Sequence, residues 1–161
     1  MQACFRICSV VFVLLLLLGC GDGRPKRVPV AGQVLIDGKP LTTGSIQFAS
    51  GAGRASQGTL DQDGRFRLSC YEENDGALLG THKVAIASAK ELSPFEVRWF
   101  APKKYADFRT SGILQEITGS TDNLVINISW EGGHEFVESI KGAAGDEGMQ
   151  GNRGQRVKPA E

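Results

Sequence analysis

From Val28 the chain alternates between apolar and other residues with a period of two. Val28, Val30, Gly32, Val34 and Ile36 share one face, opposite Pro29, Ala31, Gln33 and Leu35, which predicts a strand with one buried side. Asp37-Gly38 is tight-turn chemistry, and Pro40, lacking an N–H, predicts that the return does not pair at once. Ile46 and Phe48 then alternate with Ser45 and Gln47, and Ala49 to Ser56 reads as a loop of small residues.

The strongest local signal is a hairpin. Gln57 to Leu60 leads through Asp61-Gln62-Asp63-Gly64 into Arg65 to Cys70, with Asp63-Gly64 as a two-residue primed turn. Phe66, Leu68 and Cys70 fall on its inner face. Further on, His82, Val84 and Ile86 share a face, Ala89 to Ser93 reads as a link, and a short strand limited by Pro102 runs from Phe95 to Phe100. Lys103 to Ser111 is irregular, Ile113 to Thr118 reads as a strand, and Leu124, Ile126, Ile128 and Trp130 alternate in the last one. No long stretch keeps a helical period. About seven short, turn-punctuated strands over residues 28–130 predict an all-β domain, a small antiparallel β-sandwich.

The flanks behave differently. Arg6, an unbroken apolar run from Val10 to Leu18 and the small residue Gly19 make up an export signal over residues 1–19. The run falls short of the roughly 20 residues needed to span a bilayer as a helix. Leu17-Leu18-Gly19-Cys20 resembles the bacterial lipobox, and the resemblance implies acylation, a diacylglyceryl group on Cys20 with palmitate-type chains. That makes the mature protein a membrane-anchored lipoprotein facing the periplasm or cell surface, with the membrane itself, through this lipid, as one partner. Residues 20–27 read as the lipidated cysteine and a flexible linker. Its Arg24, Lys26 and Arg27 are within reach of anionic head groups, although a solvated tether is the simpler reading. After Trp130 the period stops, and residues 131–161 read as a Gly-rich disordered tail with room for a short amphipathic helix from His134 to Lys141.

Composition narrows the chemistry. Lys+Arg 18 and Asp+Glu 18 cancel in the 161 residues, so no long-range field steers nucleic acid to the chain. Of four cysteines, Cys4 and Cys8 leave with the signal and Cys20 takes the lipid, so Cys70 has no partner for an intramolecular disulfide and reads as a buried small hydrophobe.

Several segments resemble the transthyretin-like, carboxypeptidase-regulatory-like sandwich domains of bacterial surface proteins. They are Val30-x-Gly32-x-Val34 before Asp37-Gly38-Lys39-Pro40-Leu41, Gly44-Ser45-Ile46-x-Phe48, Gly58-Thr59-x-Asp61-x-Asp63-Gly64-x-Phe66, and Gly80-Thr81-His82-Lys83-Val84. The similarity is closer still to small bacterial lipoproteins that add Pro102-Lys103-Lys104-Tyr105 and Ser111-Gly112-Ile113. It implies fold and location, and no established activity. The histidine-rich motif and the C-terminal Tyr-Arg-Gly-Ser of transthyretin-related hydrolases are absent. No Gly-x-Ser-x-Gly elbow, phosphate-binding glycine loop or metal-ligand spacing around His82 or His134 occurs, so the expectation is a non-enzyme without cofactor or metal. Asp61-x-Asp63-Gly64 resembles the opening of a calcium loop, but strand residues fill the space before Glu72, and hairpin is the reading.

The stretch with most chemical content is Arg98-Trp99-Phe100-Ala101-Pro102-Lys103-Lys104-Tyr105, in which aromatics alternate with cations. Arg98, Trp99, Lys103, Lys104 and Tyr105 form a candidate binding surface. The competing view places Trp99 or Phe100 over an open end of the sandwich. Two functions follow: an envelope lipoprotein whose module makes structural or protein–protein contacts, or a carbohydrate-binding module that uses residues 98–105 on glycans. An exposed coplanar Trp99 and Tyr105 favours the second, and burial of both the first.

Overall fold

Thirteen short strands carry the chain in the computed structural model, which describes residues 23–51 and 53–139. The signal, Cys20 and the tail from residue 140 lie outside the described residues. In order the strands are β1 (Arg27–Val28), β2 (Val30–Ile36), β3 (Lys39–Pro40), β4 (Ser45–Ala49), β5 (Ser56–Thr59), β6 (Arg65–Arg67) and β7 (Ala77–Leu78). There follow β8 (Gly80–Ala87), β9 (Ala89–Ser93), β10 (Glu96–Trp99), a 3₁₀ turn at Lys103–Ala106, β11 (Ile113–Ile117), β12 (Thr121–Ile128) and β13 (Phe136–Ser139).

Two larger sheets face each other. One has the order β11-β8-β4-β5; in the other β2 lies between β12 on one side and β3 with β6 on the other. Their inner faces close on one core containing Val34, Ile46, Phe48, Leu68, Val84 and Ile86, each almost wholly buried. This is an all-β arrangement, mostly antiparallel and consistent with a β-sandwich. The period-two faces drawn from the sequence at Val30–Val34, Ile46–Phe48 and Phe66–Cys70 are the buried ones.

Several expectations need correction. The sandwich is not purely antiparallel: β12 runs parallel to β2, with one extra residue between Thr121 and Leu124. Gly32 allows this, because a Cβ there would overlap the Leu124 carbonyl. Pro40 does pair at once, opposite Leu35 in the hairpin closed by Asp37-Gly38. Both turn residues have positive φ (48° and 78°), as the two-residue primed turn requires. A proline is tolerated in β3 because that strand is an edge.

The second turn is of another kind. Gly64 N–H donates to the Asp61 carbonyl at 2.9 Å and Asp61 N–H to the Arg65 carbonyl at 3.0 Å, while Gly64 alone of this loop takes positive φ (70°). That is a three-residue loop ending in a glycine bulge, not a primed turn at Asp63-Gly64. Asp61 Oδ1 fixes it by accepting from Asp63 N–H (2.9 Å) and Arg65 N–H (2.8 Å). The arms then part: β5 pairs with β4 and β6 with β2, and only Gln57 and Ser69 still bridge them. The predicted hairpin is therefore a corner between the two sheets.

Residues 89–93 are a strand rather than a link. With β10 and β13 they form a third sheet of order β13-β10-β9. Part of the predicted disordered tail is thus ordered, and Phe136–Ser139 is a strand where a short helix was expected, because Phe136 and Val137 pair with Trp99 and Arg98.

β8 separates two ends of the domain by about 25 Å. At its start lie β7 and its partner β1, close to the N-terminal linker. At its finish Ala87 stands opposite Ser45 and leads into the third sheet.

Candidate functional site

The third sheet carries the aromatic–cationic stretch, and its alternation divides the five candidate residues. Arg98 and Trp99 are neighbours on β10, so they point to opposite faces. Arg98 is exposed opposite Val137; Trp99 is half-buried opposite Phe136. The Trp99 indole N–H donates to Glu138 Oε2 at 3.0 Å, and Lys103 Nζ donates to both Glu138 oxygens at 2.8 and 2.9 Å. Lys103 also lies 5.4 Å from the centre of the Trp99 ring. Hydrogen bonds from Lys103, then Trp99, hold the Glu138 carboxyl below its ordinary range.

Tyr105 is elsewhere. It is 7% exposed in the 3₁₀ turn, and its hydroxyl accepts from Ser129 N–H and donates to Ser129 O, both at 3.3 Å. Lys104 lies 4.9 Å from its ring centre and pairs with Glu131, which raises the Lys104 pKa. Phe100 packs against the core, as the structural view of this stretch expected. The fold thus brings Trp99 together with Lys103 and Tyr105 with Lys104, but it makes no shared platform of the two rings. The carboxylates that engage the lysines, Glu131 and Glu138, come from the segment dismissed as tail. The apolar pair Phe136-Val137 within that polar stretch was the available signal.

A second cluster stands at the opposite end and was not anticipated as a unit. The guanidinium carbons of Arg24, Arg27 and Arg54 lie 5.1, 4.9 and 6.0 Å from the centre of the Tyr71 ring. Glu72 pairs with Arg24 at 3.1 Å and Asp75 with Arg27 at 2.7 Å. Asp75 also accepts from the backbone N–H groups of Cys70 (2.6 Å), Tyr71 (3.1 Å) and Glu72 (3.2 Å). Burial works against its charge, but those three donors and Arg27 outweigh it, so its pKa is lowered. The loop closes at Gly76 (φ 88°), where a Cβ would overlap the Val28 carbonyl.

The residues with catalytic potential do not converge. His82 is 1% exposed, its Nε2–H donates to the Leu78 carbonyl at 2.8 Å, and its ring packs 5.9 Å from that of Phe48. His134 is exposed. Cys70 is buried, with Sγ 3.5 Å from the Arg54 carbonyl. Among the described residues no three of His, Cys, Asp and Glu gather as a metal site. A polar cleft of about 630 Å³ opens where β5 and β6 part, with Thr59, Asp61, Arg65, Arg67, Glu73 and Asp122 on its walls. It holds neither histidine nor cysteine. Among the described residues no helix is long and apolar enough to cross a membrane. No protein-family model, curated protein or solved structure matches the chain.

Proposed function

We propose that the chain is an exported lipoprotein, held to a membrane of the cell envelope through Cys20, whose transthyretin-like sandwich is a non-catalytic module for structural or protein–protein contacts. The observation that carries the anchor is Leu17-Leu18-Gly19-Cys20 at the end of the apolar run, with a short polar linker before β1. Protein contact rather than glycan binding draws support from the third sheet. Trp99 and Tyr105 spend their polar groups on Glu138 and Ser129, while Leu92 (44% exposed) and Val137 (45%) on the third sheet and Phe95 (59%) in its β9–β10 turn present apolar surface. Stacking on a sugar needs an open ring face, which buried Tyr105 lacks. The non-catalytic reading draws on the separation of His82, His134 and Cys70 and on the polar cleft without a nucleophile–base pair.

Metabolic labelling with a fatty-acid probe tests the anchor. The wild-type chain is expected to take up label, and Cys20→Ala to lose it and accumulate as unprocessed precursor. Label on the Cys20→Ala chain would refute the anchor reading.

A further inference from the structure

We propose that the Tyr71 end of the domain rests on the membrane, with Arg54 placed to bond the phosphodiester of an anionic lipid head group. This rests on the lipid-anchor reading and extends it from attachment to orientation. The cations reach Tyr71 from three separate segments: Arg24 from the linker, Arg27 from β1 and Arg54 from the loop after β4. Glu72 and Asp75 answer Arg24 and Arg27. Among the described residues no carboxylate pairs with Arg54, which is exposed, as are Lys26 and Glu73 nearby. A guanidinium fork matches a phosphate in bidentate fashion, and a tyrosine beside it suits the polar–apolar boundary of a membrane.

Chain length enforces the placement. Arg24 is four positions along the chain from Cys20, a reach of at most about 14 Å when fully extended. That is less than two Debye lengths at physiological salt, each about 8 Å. A lipid on Cys20 therefore holds this cluster at the head groups whatever path the linker takes. The alternative anchor-proximal surfaces are fixed by the same short reach, and the third sheet is not among them. It lies at the other end of β8, about 25 Å away. Docking by Tyr71 and Arg54 thus turns Leu92 and Phe95 away from the lipid, toward whatever stands in the envelope.

The protein carries its own reporters, since its two tryptophans, Trp99 and Trp130, both sit at the far end. The test reconstitutes the full-length, processed lipoprotein into phosphatidylcholine vesicles with or without phosphatidylglycerol. It reads energy transfer from tryptophan to dansyl-labelled head groups. With phosphatidylglycerol present, the wild-type protein is expected to give weak transfer. Arg54→Glu, in an exposed loop, is expected to raise transfer about two-fold or more as the domain swings on its linker, and Lys90→Glu on β9 to leave it unchanged. Acylated wild type and Arg54→Glu with equal transfer would overturn the docking while leaving the anchor intact. Absence of fatty-acyl label on the wild type would overturn both. Release of the wild-type domain by inorganic phosphate at matched ionic strength, independent of phosphatidylglycerol, would assign Arg54 to a soluble phosphate and overturn the lipid assignment.

Discussion

Replacing Gly64 by alanine asks whether the corner between the sheets depends on backbone conformation alone or also on the space beside it. Gly64 takes φ 70°, and a Cβ there would lie 2.8 Å from Val34 O, 3.0 Å from Leu41 N and 3.2 Å from Leu41 O. Those atoms are already engaged: Leu41 N–H donates to Val34 O at 3.0 Å, and Val34 N–H donates to Gly64 O at 2.9 Å. The methyl group has only backbone to push against, and backbone yields by giving up hydrogen bonds. Left-handed strain costs about 1–2 kcal/mol. One or two weakened hydrogen bonds add about 1 kcal/mol each. The expected loss is therefore roughly 2–4 kcal/mol.

Gly112 is the control. It has nearly the same φ (67°), but a Cβ there meets nothing within 4 Å. Gly112→Ala should show strain without the clash. Urea denaturation of residues 21–139, compared at equal m, measures both. Equal losses in the two variants would refute the argument, because they would show that Val34 and Leu41 move aside freely and that Gly64 does not set the register of β6.

Gln62→Pro is expected to be neutral or to stabilise by about 0.4–1 kcal/mol, since position 62 is the second residue of a type I-like turn, where proline is favoured; marked unfolding of this variant would restore the two-residue primed turn. Asp75→Asn should destabilise by roughly 1–3 kcal/mol at neutral pH by removing a charged acceptor of three backbone N–H groups. Because the Asp75 pKa is lowered from 3.8, its contribution is present above that value and lost as pH falls through the lowered one, so the two urea curves should converge in acid. A pH-independent difference would show that the loss is not carried by the charge. The wild type is expected to change its tryptophan emission as pH falls below 4.5, where protonation of Glu138 loosens its hold on the Trp99 indole and Lys103, and Glu138→Gln to lack that change. Persistence of that change in the variant would place its origin elsewhere.

Faces were legible in the chain and partners were not. The alternation of Val30, Gly32 and Val34, of Ile46 and Phe48, and of Phe66, Leu68 and Cys70 named the buried sides, because a strand has no other way to hide apolar groups. Turn chemistry fixed the tight turn at Asp37-Gly38 for the same local reason, but not the immediate pairing of Pro40 with Leu35. The corner at Asp61–Arg65 was misread because Asp-Gly suits both a primed turn and a glycine bulge, and local residues do not say which sheet each arm joins. The parallel contact of β2 with β12 depends on a glycine meeting a carbonyl far along the chain, which no local pattern records. The candidate surface failed to assemble for a related reason: its polar needs are met by Glu131 and Glu138, whose surroundings are too charged and glycine-rich to announce a strand. Three arginines around Tyr71 were invisible until the loop after β4 was folded back.

The parallel contact also has a consequence in time. β2 is the first long strand to emerge from a chain made N-terminus first, and its full-length neighbour β12 is the last long one. The chain between them must close as one long loop for that contact to form, and long-range pairing of this kind is slow because loop closure precedes any gain. Until then the open side of β2 offers unpaired amides and carbonyls to any extended chain nearby, the hazard of an unguarded edge. That side of β2 is therefore covered late. A chain stalled before residue 121 can still pair β11, β8, β4 and β5, but one side of β2 stays uncovered.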